Sequence, residues 1–163
     1  MKFIMKKIWG GSSKLALTAV LAGLVALSSA NAASANPFKK VSGNWRSAGA
    51  TAVINGNKER IKCRASYSTP GRTLIMNLKC SGPGYFINVS VDARVIGSKV
   101  KGSWREAQFS KSGWISGRAT KSRSNLAFGG GVKGSMSVRL NSRSRHSIYI
   151  RSGGNRVSIP MRR

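Results

Sequence analysis

Apolar and polar residues alternate with a period of two along most of this chain, in runs separated by only two or three turn-forming residues. Ile61, Cys63, Ala65 and Tyr67 alternate with Arg60, Lys62, Arg64 and Ser66. Leu74, Met76, Leu78 and Cys80 follow the same pattern against Thr73, Ile75, Asn77 and Lys79. The runs from Tyr85 to Val95 and from Val132 to Leu140 repeat it. A period of two sends successive side chains to opposite faces of a strand, so each run predicts a strand with one apolar and one wet face. Weaker runs at 43–54, 98–107, 113–121, 124–128, 145–152 and 155–162 extend the series.

The links are Asn55-Gly56-Asn57, Pro70-Gly71, Gly82-Pro83-Gly84, Gly97-Ser98, Gly129-Gly130-Gly131 and Gly153-Gly154-Asn155. Such short links join antiparallel neighbours, because parallel strands need crossovers of a dozen residues or more. The expected fold is all-β: an antiparallel meander of about eight to ten strands, closed as a barrel or flattened clam so that few edges stay open. Pro160 falls on the outward parity, which suggests that the last strand is an edge or ends early. The tetrads Val100-Lys101-Gly102-Ser103, Ile115-Ser116-Gly117-Arg118 and Val132-Lys133-Gly134-Ser135 put Gly at inward strand positions, where it relieves crowding.

Residues 1–35 read as a signal peptide: a basic start, the apolar run Leu15–Leu27, then small residues with Ala30-Asn31-Ala32 and Ala33-Ser34-Ala35 as cleavage sites. Residues 36–163 then form one secreted β domain, periplasmic or extracellular. In an oxidising compartment the two cysteines, Cys63 and Cys80, are expected as a structural disulfide. A turn centred on Gly71-Arg72 sets Cys63 opposite Cys80, Ala65 opposite Leu78 and Tyr67 opposite Met76. A turn at Pro70-Gly71 instead makes the thiols diagonal neighbours on the same apolar face.

Gly43-Asn44-Trp45, the string Glu59-Arg60-Ile61-Lys62-Cys63-Arg64-Ala65-Ser66-Tyr67, the strand Leu74–Cys80 and Gly102-Ser103-Trp104-Arg105-Glu106 carry a resemblance. Together they resemble a family of small exported bacterial all-β proteins of unassigned function, with the pattern G-x-W, E-x-I-x-C-R-A-x-Y, L-x-C, G-x-W-x-E. The resemblance implies an exported all-β domain with one disulfide, and no activity.

Glu59, Asp92 and Glu106 are the only acids. Glu59 and Glu106 share the inward parity of their apolar neighbours. They are expected to satisfy strand-end ion pairs with Arg, or else to line a pocket with Tyr67 and Trp104. His146 shares parity with Ile148 and Ile150, as a core or boundary residue does. Trp114 has the outward parity, among cations. No nucleophile elbow and no set of metal ligands is present, so neither catalysis nor a cofactor or metal is expected.

Charge narrows the class of partner. The chain carries 29 Lys and Arg against 3 acids, a formal net charge of +26. Four cations (Lys2, Lys6, Lys7, Lys14) precede the cleavage sites, which leaves 25 − 3 = +22 for the mature domain. A field of that size selects polyanions. Lys121, Arg123, Arg139, Arg143, Arg145 and Arg151 are the expected contacts, on one wet sheet face. Lipopolysaccharide, acidic polysaccharide and nucleic acid are the expected partner classes, in that order. A lipocalin-like carrier of a small apolar ligand and an inhibitor of a secreted enzyme are the rival readings. The dense outward charge and short strands speak against a membrane-spanning barrel.

Overall fold

The computed structural model describes residues 35–84 and 86–163; residues 1–34, on which the expected signal peptide falls, and Tyr85 lie outside the described residues. Eleven strands follow in chain order: β1 (Gly43–Ser47), β2 (Ala50–Ile54), β3 (Asn57–Ser68), β4 (Thr73–Ser81), β5 (Phe86–Ile96), β6 (Lys99–Glu106), β7 (Lys111–Ala119), β8 (Arg123–Gly130), β9 (Gly134–Ser142), β10 (Arg145–Ser152) and β11 (Asn155–Arg162). From β3 to β11 each strand pairs antiparallel with the next, the meander that the short turns require. Asn55 and Gly56 both have positive φ, as a two-residue hairpin of this hand demands. Among the described residues no helix is long and apolar enough to cross a membrane.

Closure depends on β1 and β2. Both pair with β3 on one side and with β11 on the other, so they are two halves of one strand position. The barrel therefore has ten antiparallel positions built from eleven strands. Between the halves, at Ala48-Gly49, the register slips by one residue and the inward parity changes from odd (Trp45) to even (Ala50, Ala52). Ser47 compensates with its hydroxyl, which accepts the Cys63 N–H at 2.8 Å.

Pro160 sits opposite this break, which corrects its expected edge position. Its carbonyl accepts the Ala48 N–H at 2.8 Å. The missing N–H points to the same side, into a bulge where no ladder bond is needed. The last strand is thus interior to the closed sheet.

Alternation holds inside. Leu74, Met76, Leu78, Val91, Ala93, Val100, Ile115, Ile148 and Ile159 are all buried in one apolar core. At about 25 cal/mol per Å² of apolar surface removed from water, burial of this face is what holds the sheet curled. Gly102, Gly117 and Gly134 lie where a Cβ would collide with the neighbouring strand's backbone, which explains the repeated Gly. Two expectations shift by a few residues. Val132 is exposed ahead of β9, whereas Gly129 and Gly130 belong to β8 and pair with Trp114 and Gly113. The exposed Trp114 indole lies on Gly129 and leaves no room for a Cβ there.

The β3–β4 hairpin adopts the register centred on Gly71-Arg72, with Cys63 opposite Cys80 and the disulfide formed between them. One barrel end is closed by a 3₁₀ turn (Lys39–Val41), whose flanking Phe38 and own Val41 are buried. The Asn36 amide ties this segment to the hairpin by donating to the carbonyls of Gly71 (3.2 Å) and Thr73 (2.9 Å).

Candidate polyanion-binding surface

Among the described residues the interior meets some of its polar groups by local hydrogen bonding and leaves Glu59 Oε2, Ser124 Oγ and His146 Nδ1 without a partner. Glu106, 6% exposed at the end of β6, accepts three backbone N–H bonds, from Asn88 (3.0 Å), Gln108 (3.0 Å) and Phe109 (2.6 Å). Burial alone would raise its carboxyl, but the three amides outweigh burial and hold it below the usual carboxylate range. Backbone amides thus stand where an Arg partner was expected. Glu59 is half-buried opposite Ala52, and its Oε2 has no hydrogen-bond partner.

His146 is 1% exposed and packs edge-on against Trp45, with ring centroids 4.3 Å apart. Its Nε2 lies 3.1 Å from the Tyr67 hydroxyl, while Nδ1 has no partner. Burial, reinforced by the charge of Arg163, lowers the imidazole to about 4. Burial likewise pushes the Tyr67 hydroxyl well above the usual phenol range. Arg163 covers this end of the core, with its guanidinium 4.6 Å from the Trp45 ring centroid and donating to the Ser42 carbonyl at 2.6 Å.

Glu59, Tyr67, Trp104 and Glu106 do not assemble into one pocket. Tyr67 and Trp104 share a cross-strand row, but the buried Met76 and Val91 fill the two positions between them. Trp104 donates to the Gly129 carbonyl at 3.1 Å. Glu59 lies eight residues from Tyr67 along β3, roughly 26 Å away at strand rise.

The outside is different. Registers around the closure align Arg145 with Arg162, Arg162 with Arg46, Arg46 with Arg64, and Arg64 with Lys79. Five cations therefore stand directly opposite one another across β10, β11, β1, β3 and β4, and all five are exposed. Neighbouring strands are spaced by about 4.8 Å, so a charge recurs at each step across the sheet. Arg162, Arg46, Arg64 and Lys79 line a hollow of about 920 Å³ together with Asn44, Ser66 and Asn77, and no Asp or Glu side chain lines it; Arg145 lines a neighbouring recess. Like charges directly opposite on neighbouring strands destabilise a sheet. This sheet tolerates a run of four such pairs.

The six expected contacts are divided between surfaces. Arg145 belongs to the ladder. Arg139 and Arg151 line a second outer concavity, over β7–β11 and β2. Arg123 stands opposite Arg139, and with Lys121 borders a small recess beside Phe38. Arg143 is exposed in the β9–β10 turn. Arg46, Arg64, Lys79 and Arg162 escaped the sequence reading. One of the two hairpin registers open in the sequence, the one centred on Gly71-Arg72, implies the Arg64–Lys79 pair, whereas the other contacts require barrel closure.

No protein-family model, no curated protein and no solved structure matches this chain.

Proposed function

We propose that this protein is an exported, non-enzymatic binder of anionic envelope or extracellular polymers, with lipopolysaccharide, acidic polysaccharide and nucleic acid as its candidate partners. The carrying observation is the ladder Arg145–Arg162–Arg46–Arg64–Lys79, with no acid among the residues that line the two hollows along it. Solubility alone needs charge but not its alignment in one row, where self-repulsion is greatest. A linear polyanion laid across the strands meets a cation at every strand and releases counterions as it binds. The disulfide on the apolar face and the buried core make the sheet a rigid support, so little ordering cost accompanies binding. The interior is occupied by packed side chains, which directs attention to the outer surface.

The test is a salt titration of binding to lipopolysaccharide, polygalacturonate and single-stranded DNA, with wild type and an Arg46→Ser, Arg64→Ser, Lys79→Ser variant. For single-stranded DNA the log–log slope should fall by about 2, at roughly 0.7 per lost contact. An unchanged slope on every probe rejects the ladder as the binding face. Absence of binding by wild type at physiological ionic strength rejects the polyanion reading itself.

A further inference from the structure

The second outer concavity, about 1000 Å³, has a different chemistry from the ladder. Outward positions on β7–β11 and β2 line its floor with small polar residues, and the remaining lining is largely apolar, including Val53, Ala127, Ile150 and Val157. Tyr149, 46% exposed, stands at the centre. The residues directly opposite it on the neighbouring strands are Ser158 and Ser137, with Thr51 and Asn125 one strand farther out. Serines on both sides leave the ring without an apolar cross-strand partner, so a flat apolar surface stands among hydroxyls and an amide.

Cations frame this floor. Arg60 and Arg118 stand in the row that contains Tyr149, three strands to either side of it, and Lys99 lies opposite Arg118. Arg151 and Arg156 face one another in the parallel row beside it, and Arg139 lies on the other side. No acid lines the hollow. The row from Arg60 to Arg118 crosses six strand intervals, roughly 29 Å along the sheet.

We infer that this concavity is a binding groove for a carboxylated glycan chain, with Tyr149 as the platform for one sugar ring. Sugars offer hydroxyls around the ring edge and an apolar C–H face. The Ser, Thr and Asn side chains suit the former and the Tyr149 ring suits the latter. The Arg residues at the margins suit carboxylates, which they engage bidentately. Single-stranded nucleic acid fits less well, because its binding surfaces stack successive bases on several aromatic rings and this floor has one. The inference rests on the polyanion reading and narrows it to one substrate class.

Binding of a labelled galacturonic-acid hexamer, an inorganic polyphosphate of equal charge and a single-stranded DNA hexamer would be compared at several salt concentrations. Wild type should retain hexagalacturonate at a salt concentration that removes polyphosphate. Tyr149→Ala, an exposed position whose loss leaves the core intact, should weaken hexagalacturonate about tenfold and change polyphosphate less than twofold. Arg46→Ser with Arg64→Ser should weaken polyphosphate more than hexagalacturonate. Equal effects of Tyr149→Ala on both anions, or no effect on either, overturn the glycan groove while leaving the polyanion reading standing. A larger loss for the DNA hexamer than for the glycan reassigns the platform to bases. Failure of all three probes to bind wild type overturns both readings.

Discussion

Glu106 and the Arg145–Lys79 ladder are opposite treatments of charge within one sheet. Inside, a single carboxylate is met by three amide donors and needs no counter-ion. Outside, five cations share a row with no acid among the residues that line the two hollows along it. The Glu106 charge is therefore met by the fold's own N–H donors, whereas the proposed binding row has no opposite charge of its own. On this view, changes to interior groups should alter stability without touching binding, and changes to the ladder should do the reverse.

The largest effect is expected at Glu106. Glu106→Ala leaves three amides without acceptors and should cost about 3–5 kcal/mol, whereas Glu106→Gln keeps part of the network and should cost about 1–2 kcal/mol. Urea unfolding measures both. Polyanion binding by the folded Gln variant should match wild type, and a loss of binding with unchanged stability would break the contrast.

Removing the Cys63–Cys80 bridge comes next. Closing a loop of this size contributes about 3 kcal/mol by loop entropy. Intact mass with and without reduction should show no alkylation before reduction, and the reduced protein should unfold at lower urea. Ready alkylation of the unreduced protein contradicts the hairpin as described.

His146 gives the interior a pH signature. The imidazole is held near 4 in the folded protein against about 6.5 when unfolded. Between those values the unfolded chain binds a proton that the folded chain refuses. The stability is thus complete above about pH 6.5 and is lost as pH falls toward 4, by about 3 kcal/mol. With only three acids in the chain, carboxylates add little to this limb, so His146→Phe should flatten it. A persistent loss of stability between pH 6.5 and 4.5 in that variant points to another group.

The smallest stability effect has the opposite sign. Arg64→Thr removes a cation flanked by Arg46 and Lys79 and places a good strand former at an exposed position. It should raise stability by about 0.5 kcal/mol at low salt, an increment that fades as salt screens the ladder.

The strands, most turns, the all-β class and the paired cysteines are legible in the sequence because each depends on local alternation or on a hairpin of adjacent strands. Closure is not, because β1, β2 and β11 meet across more than a hundred residues. The slip at Ala48-Gly49 also reverses parity inside the run 43–54, and it converts Pro160 from an apparent edge marker into the occupant of a bulge. The site was legible only in outline for the same reason. Net charge announces a cationic surface, but Lys121-Ser122-Arg123 and Arg143-Ser144-Arg145 draw attention to the carboxyl-terminal half. Two ladder members, Arg64 and Lys79, lie in the hairpin that the sequence places, opposite one another in one of the two registers it leaves open. Tyr149 reads as one more strand aromatic until the registers show serines on both sides.

The central claim is that the ladder trades sheet stability for polyanion affinity, and one paired measurement on Arg64→Thr addresses it directly. Melting temperature and the salt dependence of inorganic polyphosphate binding should be determined on the same preparation. The expected result is a higher melting temperature at low salt together with weaker binding and a shallower log–log slope. A variant no more stable than wild type that binds with an unchanged slope would contradict the claim.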